Sequence, residues 1–281
     1  MSAIPRLDRT LVMGIVNVTP DSFSDGGDHP TPETAIAHGL KLLAQGADIL
    51  DIGGESTRPG AARITVKTEM ERVLPVVSAL SEAGAAVSID TMRAEVAEAA
   101  VTSGAVLIND VSGGLSDPQM LSAAAELGVG FVVEHWRAPS ATMQSQANYA
   151  DVVADVRREL AAQVANALNA GIAADLLIVD PGLGFSKNSD HNWALLSHLD
   201  SFAEIGCPLL IGASRKRFLG ELLAENGNLR PPKERDDATV AMTTLLAERG
   251  IWAVRTHSVR AQRDAIAVVG RMAGSHCAAF R

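Results

Sequence analysis

The feature of this sequence that most constrains its fold is a set of eight short apolar runs, each followed closely by polar or charged residues. The runs cover residues 11–16, 49–50, 87–89, 106–108, 131–133, 176–179, 208–211 and 252–254. Stretches rich in Ala, Leu and Glu with helical spacing separate most of them, as at residues 32–45 and 152–170. Continuous apolar runs predict strands that are buried on both faces, and their alternation with helices predicts a parallel sheet.

Eight such units predict an α/β protein that closes into a (β/α)8 TIM barrel, with the polar residues that follow the strands gathered at one mouth. A barrel of this kind needs about 250 residues. The 281 residues of the chain therefore predict a single domain over residues 1–281. No linker rich in Pro, Gly or Ser divides the chain, and we expect residues 225–234 to be a surface excursion within the seventh unit.

The net charge of −9 argues against nucleic acid and anionic membranes as partners, because both require a broad basic face. No apolar run approaches the roughly 20 residues of a membrane span, and residues 1–10 contain no apolar signal region. Cys207 and Cys277 show neither a close pair nor a metal-ligand spacing. Reduced thiols and a cytoplasmic location are therefore expected, and any phosphate group must be held by a local cluster of donors.

Three polar residues, Asp90, Asn109 and Asp180, follow the third, fourth and sixth runs. A carboxylate or amide at the end of a buried strand is partly desolvated, so it needs a hydrogen-bond partner in the protein or in a ligand. Two carboxylates and a carboxamide could grip a planar heterocycle with an N–C–N edge through parallel hydrogen bonds. Taken singly, each residue could instead cap a helix or hold a turn.

Cationic residues cluster in the last third of this acidic chain. Arg215 and Lys216 follow the seventh run, and Arg255 and His257 belong to the eighth. Strand alternation predicts that Arg255 and His257 point to the same face, although His257 alone could be a core residue. Phosphate sites of barrels often use the loops after the last two strands, so we predict an anion site there.

Two loops rich in Gly and hydroxyl residues, 19–27 and 53–60, follow the first two runs. Such loops could close over a ligand and exclude water, or they could be plain turns. Neither contains a Gly-rich nucleotide-binding signature, and the chain has no zinc or calcium motif. Mg²⁺ is the better candidate, because it can bind through ligand phosphates and water. Asn17 is then the candidate protein ligand, on its position alone.

Seven segments that include these residues resemble the signatures of dihydropteroate synthases. They are residues 16–27, 51–60, 88–91, 109–114, 180–187, 212–220 and 254–257. The likeness follows the family's order over nearly the whole chain and is closest to actinobacterial members. It implies a (β/α)8 barrel enzyme of folate biosynthesis that uses Mg²⁺. The reaction would condense 6-hydroxymethyl-7,8-dihydropterin pyrophosphate with para-aminobenzoate, giving 7,8-dihydropteroate and pyrophosphate.

The resemblance also implies a role for each matching residue. The pterin would be held by Asp90, Asn109, Asp180 and Lys216. The pyrophosphate would be held by Asn17, Thr57, Arg255 and His257, with Asn17 also facing the metal. The para-aminobenzoate pocket would consist of Arg58, Pro59, Phe185, Ser214 and Lys216. Phe23 and Asp25 would belong to the closing first loop, and the catalytic residues would be Asp90, Lys216, Arg255 and His257.

The implied chemistry is an SN1-like displacement. An arylamine is already a neutral nucleophile near neutral pH, so the main barrier is the departure of pyrophosphate. Cationic side chains and Mg²⁺ would stabilise the leaving charge. Asp90 would stabilise positive charge at the exocyclic methylene, which makes it electrostatic rather than a general base.

The fifth run departs from the family pattern, because Glu134 precedes His135 where the family commonly has methionine. If Glu134 points into the pocket, it adds an anion near a ligand that is itself negative. We predict instead that strand alternation sends it outward, to a surface or helix partner. Trp136 is either a core residue or a wall of the pocket. Two other functions stay open at this stage: a methyltetrahydrofolate-dependent methyltransferase, and a catalytically silent pterin-binding paralogue. The family likeness further suggests a homodimer built on helices remote from the mouth.

Overall fold

The computed structural model of the chain describes residues 4–19, 31–56, 63–139 and 141–279. The strands in these ranges are β1 (Leu11–Asn17), β2 (Ile49–Gly53), β3 (Val87–Asp90), β4 (Leu107–Asp110), β5 (Gly130–Glu134), β6 (Leu177–Asp180), β7 (Leu210–Ile211) and β8 (Ala253–Thr256). The α-helices are α1 (Pro32–Ala44), α2 (Val66–Glu82), α3 (Ala94–Thr102), α4 (Met120–Leu127), α5 (Val152–Asn169), α6 (Ser189–Ser197), α7 (Arg217–Leu222), α8 (Asp236–Glu248) and α9 (Val259–Ala279). Each apolar run of the sequence corresponds to one strand.

The strands form one parallel sheet in the order β6-β5-β4-β3-β2-β1-β8-β7. The two ends of this order meet in a parallel bridge between Val179 and Leu209, where the Val179 amide donates to the Pro208 carbonyl at 2.9 Å. The sheet is therefore a nearly closed barrel with the helices between its strands. The predicted (β/α)8 fold is confirmed.

Local sequence signals set the helix ends. The Asp151 carboxylate accepts hydrogen bonds from the amides of Val153 and Ala154 at 3.0 and 3.1 Å, so α5 begins at residue 152 as predicted. Helix α4 ends at Gly128, whose φ of 63° is accessible to glycine at little cost. The seventh unit contains two helices, α7 and α8, and most of residues 225–234 between them are exposed.

The core has two shells. The outer faces of the strands pack against the helices and form the larger apolar cluster. The barrel interior holds a separate inner cluster, which consists of Ile4, Leu11, Met13, Ile49, Leu107, Val132, Ile178, Leu210 and Ala253. Each Leu or Ile that is fully buried in this way contributes about 1.5–3 kcal/mol to folding.

The N-terminal segment covers the bottom of the barrel. Ile4 belongs to the inner cluster, and the Trp252 indole donates to the Pro5 carbonyl at 3.0 Å. The Thr10 hydroxyl donates to the Ile251 carbonyl at 2.7 Å. A closed bottom leaves the carboxyl ends of the strands as the mouth of the barrel. None of the helices in the described ranges combines the length and apolar character that a membrane span requires.

Candidate functional site

A ring of polar side chains lies directly above the inner cluster. Because strand side chains alternate, the residue two positions after an inner-cluster residue also faces the barrel interior, nearer the mouth. The positions that follow the inner cluster in this way are Asp51, Asn109, Glu134, Asp180 and Arg255. In the strand register, Asp90 is the partner of Gly53 on β2 and of Asn109 on β4, so its side chain belongs to the same ring.

Arg255 bridges two carboxylates of this ring. Its Nε donates to Asp51 and its Nη2 donates to Asp90, each at 2.6 Å. Burial raises the pKa of Asp90 to about 7, although Arg255 lowers it. Burial alone would lower the pKa of Arg255, but Asp51 and Asp90 outweigh that effect and raise it. Breaking such a pair would leave an uncompensated buried charge, so the three side chains hold one another in place.

Asn109 extends this network and leaves acceptors for a ligand. Its Nδ2 donates to Asp51 at 3.0 Å. The Oδ1 atoms of Asn109 and Asp51 are buried and have no hydrogen-bond partner among the described residues. A buried acceptor without a donor is costly, so these two atoms could accept hydrogen bonds from a ligand that brings N–H groups into the mouth.

Asp180 and Lys216 lie on the opposite side of the mouth, around Gly212. A Cβ atom at Gly212 would lie 3.8 Å from the Asp180 carboxylate and 3.9 Å from Lys216 Nζ, so these two side chains border the same space. Lys216 Nζ donates to the Leu183 carbonyl and lies 4.8 Å from the centre of the Phe185 ring. Burial lowers the pKa of Lys216 and raises the pKa of Asp180, and each group partly offsets the other's shift.

Ser214 and His257 form a pair on the β8 side. The Ser214 hydroxyl lies 2.9 Å from His257 Nδ1 and accepts from the His257 amide at 3.2 Å. The neighbouring Arg215 turns the other way, because its backbone has a φ of 58° and its guanidinium binds Asp236 at 2.7 Å through two nitrogens. The sequence placed Arg215 and Lys216 in one cationic cluster, but only Lys216 faces the mouth.

The prediction that Glu134 points outward is wrong. Val132 belongs to the inner cluster, whereas Phe131 and Val133 pack in the outer shell, so Glu134 shares the inward face of β5 with Val132. Its side chain is buried, and the charges that act on it come from the mouth. Trp136 is partly exposed.

His135 takes the outward position instead and is fully buried behind the barrel wall. Its Nε2 lies 2.9 Å from Glu159 and its Nδ1 lies 2.9 Å from Lys187 Nζ. Since an ammonium only donates and a carboxylate only accepts, His135 is neutral with its proton on Nε2. Burial lowers the pKa of His135 to about 4. This cluster faces away from the mouth.

Five residues assigned from the sequence lie outside the described ranges: Phe23, Asp25, Thr57, Arg58 and Pro59. Asn17 ends β1 and is paired with Gly53, which places it at the mouth beside β2. In the described part of the chain, no three or more His, Cys, Asp or Glu residues form a group that could hold a metal ion. The structure thus brings Asp90, Asn109, Asp180, Phe185, Lys216, Ser214, Arg255 and His257 to one mouth.

Two mouth residues, Asp51 and Glu134, were not assigned to the site from the sequence. Asp51 ends the second apolar run, which is the same signal that identified Asp90 and Asp180. The same signal could therefore have identified Asp51 as a site residue. Glu134 also follows an apolar run, but the run does not indicate which face of the strand its side chain occupies.

The comparisons with known proteins agree with this geometry. The family described as "Pterin binding enzyme" matches residues 13–257. A dihydropteroate synthase of Mycobacterium leprae is 53% identical over 261 residues, which cover 92% of this chain and 92% of that protein. The dihydropteroate synthase of Escherichia coli K12 is 43% identical over 259 residues, which cover 92% of this chain and 90% of the relative.

Solved structures are similar in the same way. The dihydropteroate synthase of Xanthomonas albilineans in complex with 7,8-dihydropteroate has a TM-score of 0.83 and 44% identity, and the match covers 95% of both chains. The enzyme of Yersinia pestis with a sulfonamide drug has a TM-score of 0.91 and 39% identity, and the match covers 96% of both chains.

Proposed function

This chain belongs to the pterin-binding enzyme family, as one of its dihydropteroate synthases, and from that premise we propose how its mouth residues carry out the reaction. The chain joins 6-hydroxymethyl-7,8-dihydropterin pyrophosphate to para-aminobenzoate and releases pyrophosphate. The C–O bond of the exocyclic methylene breaks and pyrophosphate leaves with the electron pair. The amine nitrogen then bonds to the methylene and gives up one proton to water.

The observation that carries the proposal is the network of Arg255 with Asp51, Asp90 and Asn109. Asp90, Asn109 and Asp180 hold the pterin edge, which brings N–H donors to acceptors that are buried and partnerless among the described residues. Lys216 donates to the carbonyl side of the ring. Arg255 touches Asp90 and therefore joins the pterin side of the mouth to the anion side.

The pyrophosphate belongs beside Arg255 and His257, with Asn17 and Thr57 completing its site. Asn17 offers a carboxamide oxygen at the end of β1, a ligand type that suits Mg²⁺. An ion that is held mainly by substrate phosphates and water needs few protein ligands, so a mouth without a cluster of metal-binding side chains among the described residues can still bind it. Mg²⁺, if held there by Asn17, would supply positive charge toward the departing pyrophosphate. Arg255 and His257 add fixed donors to the same developing charge.

The arylamine lies between Lys216, Phe185 and Ser214, with Arg58 and Pro59 on the second loop. The Phe185 ring and Lys216 are already in contact, so they form one wall of this pocket. A sulfonamide mimics para-aminobenzoate, so added para-aminobenzoate relieves sulfonamide inhibition. Inhibition that excess para-aminobenzoate leaves unchanged would contradict this pocket.

The decisive experiment measures pyrophosphate release by the purified protein, given the pterin pyrophosphate and Mg²⁺, with and without para-aminobenzoate. Release that depends on the arylamine supports the synthase. Pterin binding without release in either mixture identifies a silent binding paralogue instead. A methyltetrahydrofolate-dependent methyltransferase would likewise release no pyrophosphate.

The proposal includes a homodimer in the cytoplasm. Exposed apolar side chains on two adjacent helices support an interface: Leu245 on α8 and Val268 on α9 are each more than half exposed. Exposed apolar side chains often mark protein contacts when they are contiguous. Light scattering is expected to give twice the chain mass of 29.4 kDa, and a monomer mass would exclude the dimer.

A further inference from the structure

Glu134 stands beside Asp180 in the barrel mouth. The two residues are direct partners in the β5 and β6 register, and the residues two positions before them, Val132 and Ile178, are also partners in the inner cluster. Both carboxyl groups therefore point into the same space. Glu134 is 6% exposed, and Asp180, Lys216 and Arg255 act on its carboxyl group electrostatically.

The charges that act on Glu134 within the mouth are Asp90 on β3, Asp180 on β6, Lys216 after β7 and Arg255 on β8, and Lys187, behind the wall after β6, also interacts with it. Arg255 is already hydrogen-bonded to Asp51 and Asp90. Lys187 donates to His135 and to two backbone carbonyls behind the wall. Lys216 is therefore the cation that acts most directly on both Glu134 and Asp180.

Two adjacent carboxylates that share one ammonium in a desolvated site resist double ionisation. Burial and the Asp180 charge raise the pKa of Glu134 well above its ordinary value. A planar heterocycle seated over the pair removes more water from it. Ligand binding therefore favours a neutral Glu134, which offers both an O–H donor and a C=O acceptor.

We propose that Glu134 is a further pterin-contacting residue of this chain, and that it contacts the heterocycle in its protonated form, so that pterin binding takes up a proton. The inference rests on the proposed function, because it concerns the same pterin site. It gives a binding role to the residue at which this chain departs from the family pattern.

The test is calorimetric titration with 6-hydroxymethylpterin, which lacks the pyrophosphate and cannot react. Titrations at a pH above the pKa of the carboxyl pair in the free protein, in two buffers of different ionisation enthalpy, give the number of protons taken up. We compare wild type, Glu134→Gln and Glu126→Gln, where Glu126 is an exposed residue of α4 and controls for the loss of one carboxylate. The pterin's own ionisation is common to all three proteins and cancels.

Wild type and Glu126→Gln are expected to take up a proton on binding, and Glu134→Gln close to none. Above the pKa of the carboxyl pair, wild-type affinity is expected to fall about tenfold per pH unit, with a flatter profile for Glu134→Gln. Equal proton uptake in wild type and Glu134→Gln would overturn the inference and leave the proposed function intact. Zero proton uptake by wild type would also overturn the inference and leave the proposed function intact. This outcome can be measured even if the variant fails to fold. No pterin binding by wild type would overturn both.

Discussion

The floor of this barrel, which is its inner apolar cluster, and the mouth above it use the same strands for opposite purposes. On β6, Ile178 is buried in the inner cluster, and Asp180 two residues later faces the mouth. On β8, Ala253 and Arg255 stand in the same relation. The floor consists of apolar side chains that need no partner. The mouth contains buried oxygens on Asp51 and Asn109 that lack a hydrogen-bond partner among the described residues.

This difference shows where the barrel gains stability and where it gives some up. Apolar burial stabilises the floor in proportion to the area removed from water. Buried charges cost free energy unless they are paired, so the mouth is held by a few strong contacts around Arg255. A ligand that completes those contacts recovers part of this cost. Substitutions on the two sides of a single strand should therefore separate folding from catalysis.

The largest expected effect comes from Arg255→Met, which removes the group that joins the two sides of the mouth. Turnover should fall by about 10²–10³-fold through loss of charge stabilisation. The free energy of unfolding should also fall by about 3–5 kcal/mol, because Asp51 and Asp90 stay buried without their partner. Steady-state kinetics and urea unfolding measure the two effects.

The control for Arg255→Met is Arg260→Met, at an exposed position on α9. Adding Asp51→Asn to Arg255→Met should restore part of the stability and none of the turnover, because it removes one uncompensated charge. Full stability in Arg255→Met alone would show that the ion pairs do not hold the mouth together.

Asp90→Asn tests whether the mouth acts by charge alone. Asparagine still accepts the hydrogen bond from Arg255, so dihydropterin affinity should stay within about fivefold of wild type. Turnover should fall by about 10²-fold or more, because the charge that stabilises the methylene cation is lost. Binding titrations and single-turnover rates separate the two, with exposed Asp200→Asn as the control. A parallel collapse of affinity would contradict an electrostatic role for Asp90.

Ile178→Ala removes packing from the floor and should leave catalysis unchanged. Loss of a fully buried Ile side chain is expected to lower the free energy of unfolding by about 2–5 kcal/mol. The kcat and KM of the folded enzyme should change less than about twofold, since Ile178 belongs to the apolar inner cluster and not to the polar ring of the mouth. Leu168→Ala, at a 43% exposed position on α5, is the control. A large fall in kcat at temperatures where the variant is folded would show that floor and mouth are coupled.

The sequence was sufficient for most of the fold because each signal it used was local. Every apolar run became a strand, and α5 begins at the predicted residue, directly after its Asp151 cap. Alternation along β8 also predicted that Arg255 and His257 share a face. What local signals could not supply was the pairing of side chains across strands, such as Arg255 with Asp51, which lies 204 residues earlier.

Glu134 and Arg215 show the physical limit of sequence reasoning at the site. Residues 131–133 are all apolar, so nothing in the run indicates which of them faces inward, and the predicted outward direction of Glu134 is wrong. Arg215 and Lys216 are neighbours in sequence, but their side chains point in different directions, because a positive φ at Arg215 turns its side chain towards Asp236. Both outcomes depend on tertiary packing that alternation and charge counting do not contain.

The smallest expected effect concerns His135, which is buried on the outer face of β5 and should influence stability only. Its pKa of about 4 lies below the ordinary value of 6.5, so between these values the unfolded chain binds a proton that the folded chain does not. The free energy of unfolding should therefore fall as the pH drops, by about 2 kcal/mol between pH 7 and pH 5. In His135→Gln this part of the fall should disappear, whereas exposed His198→Gln should keep it. Urea unfolding at the two pH values measures the difference. An unchanged pH dependence in His135→Gln would mean that the cluster behind the wall is not what couples proton binding to folding.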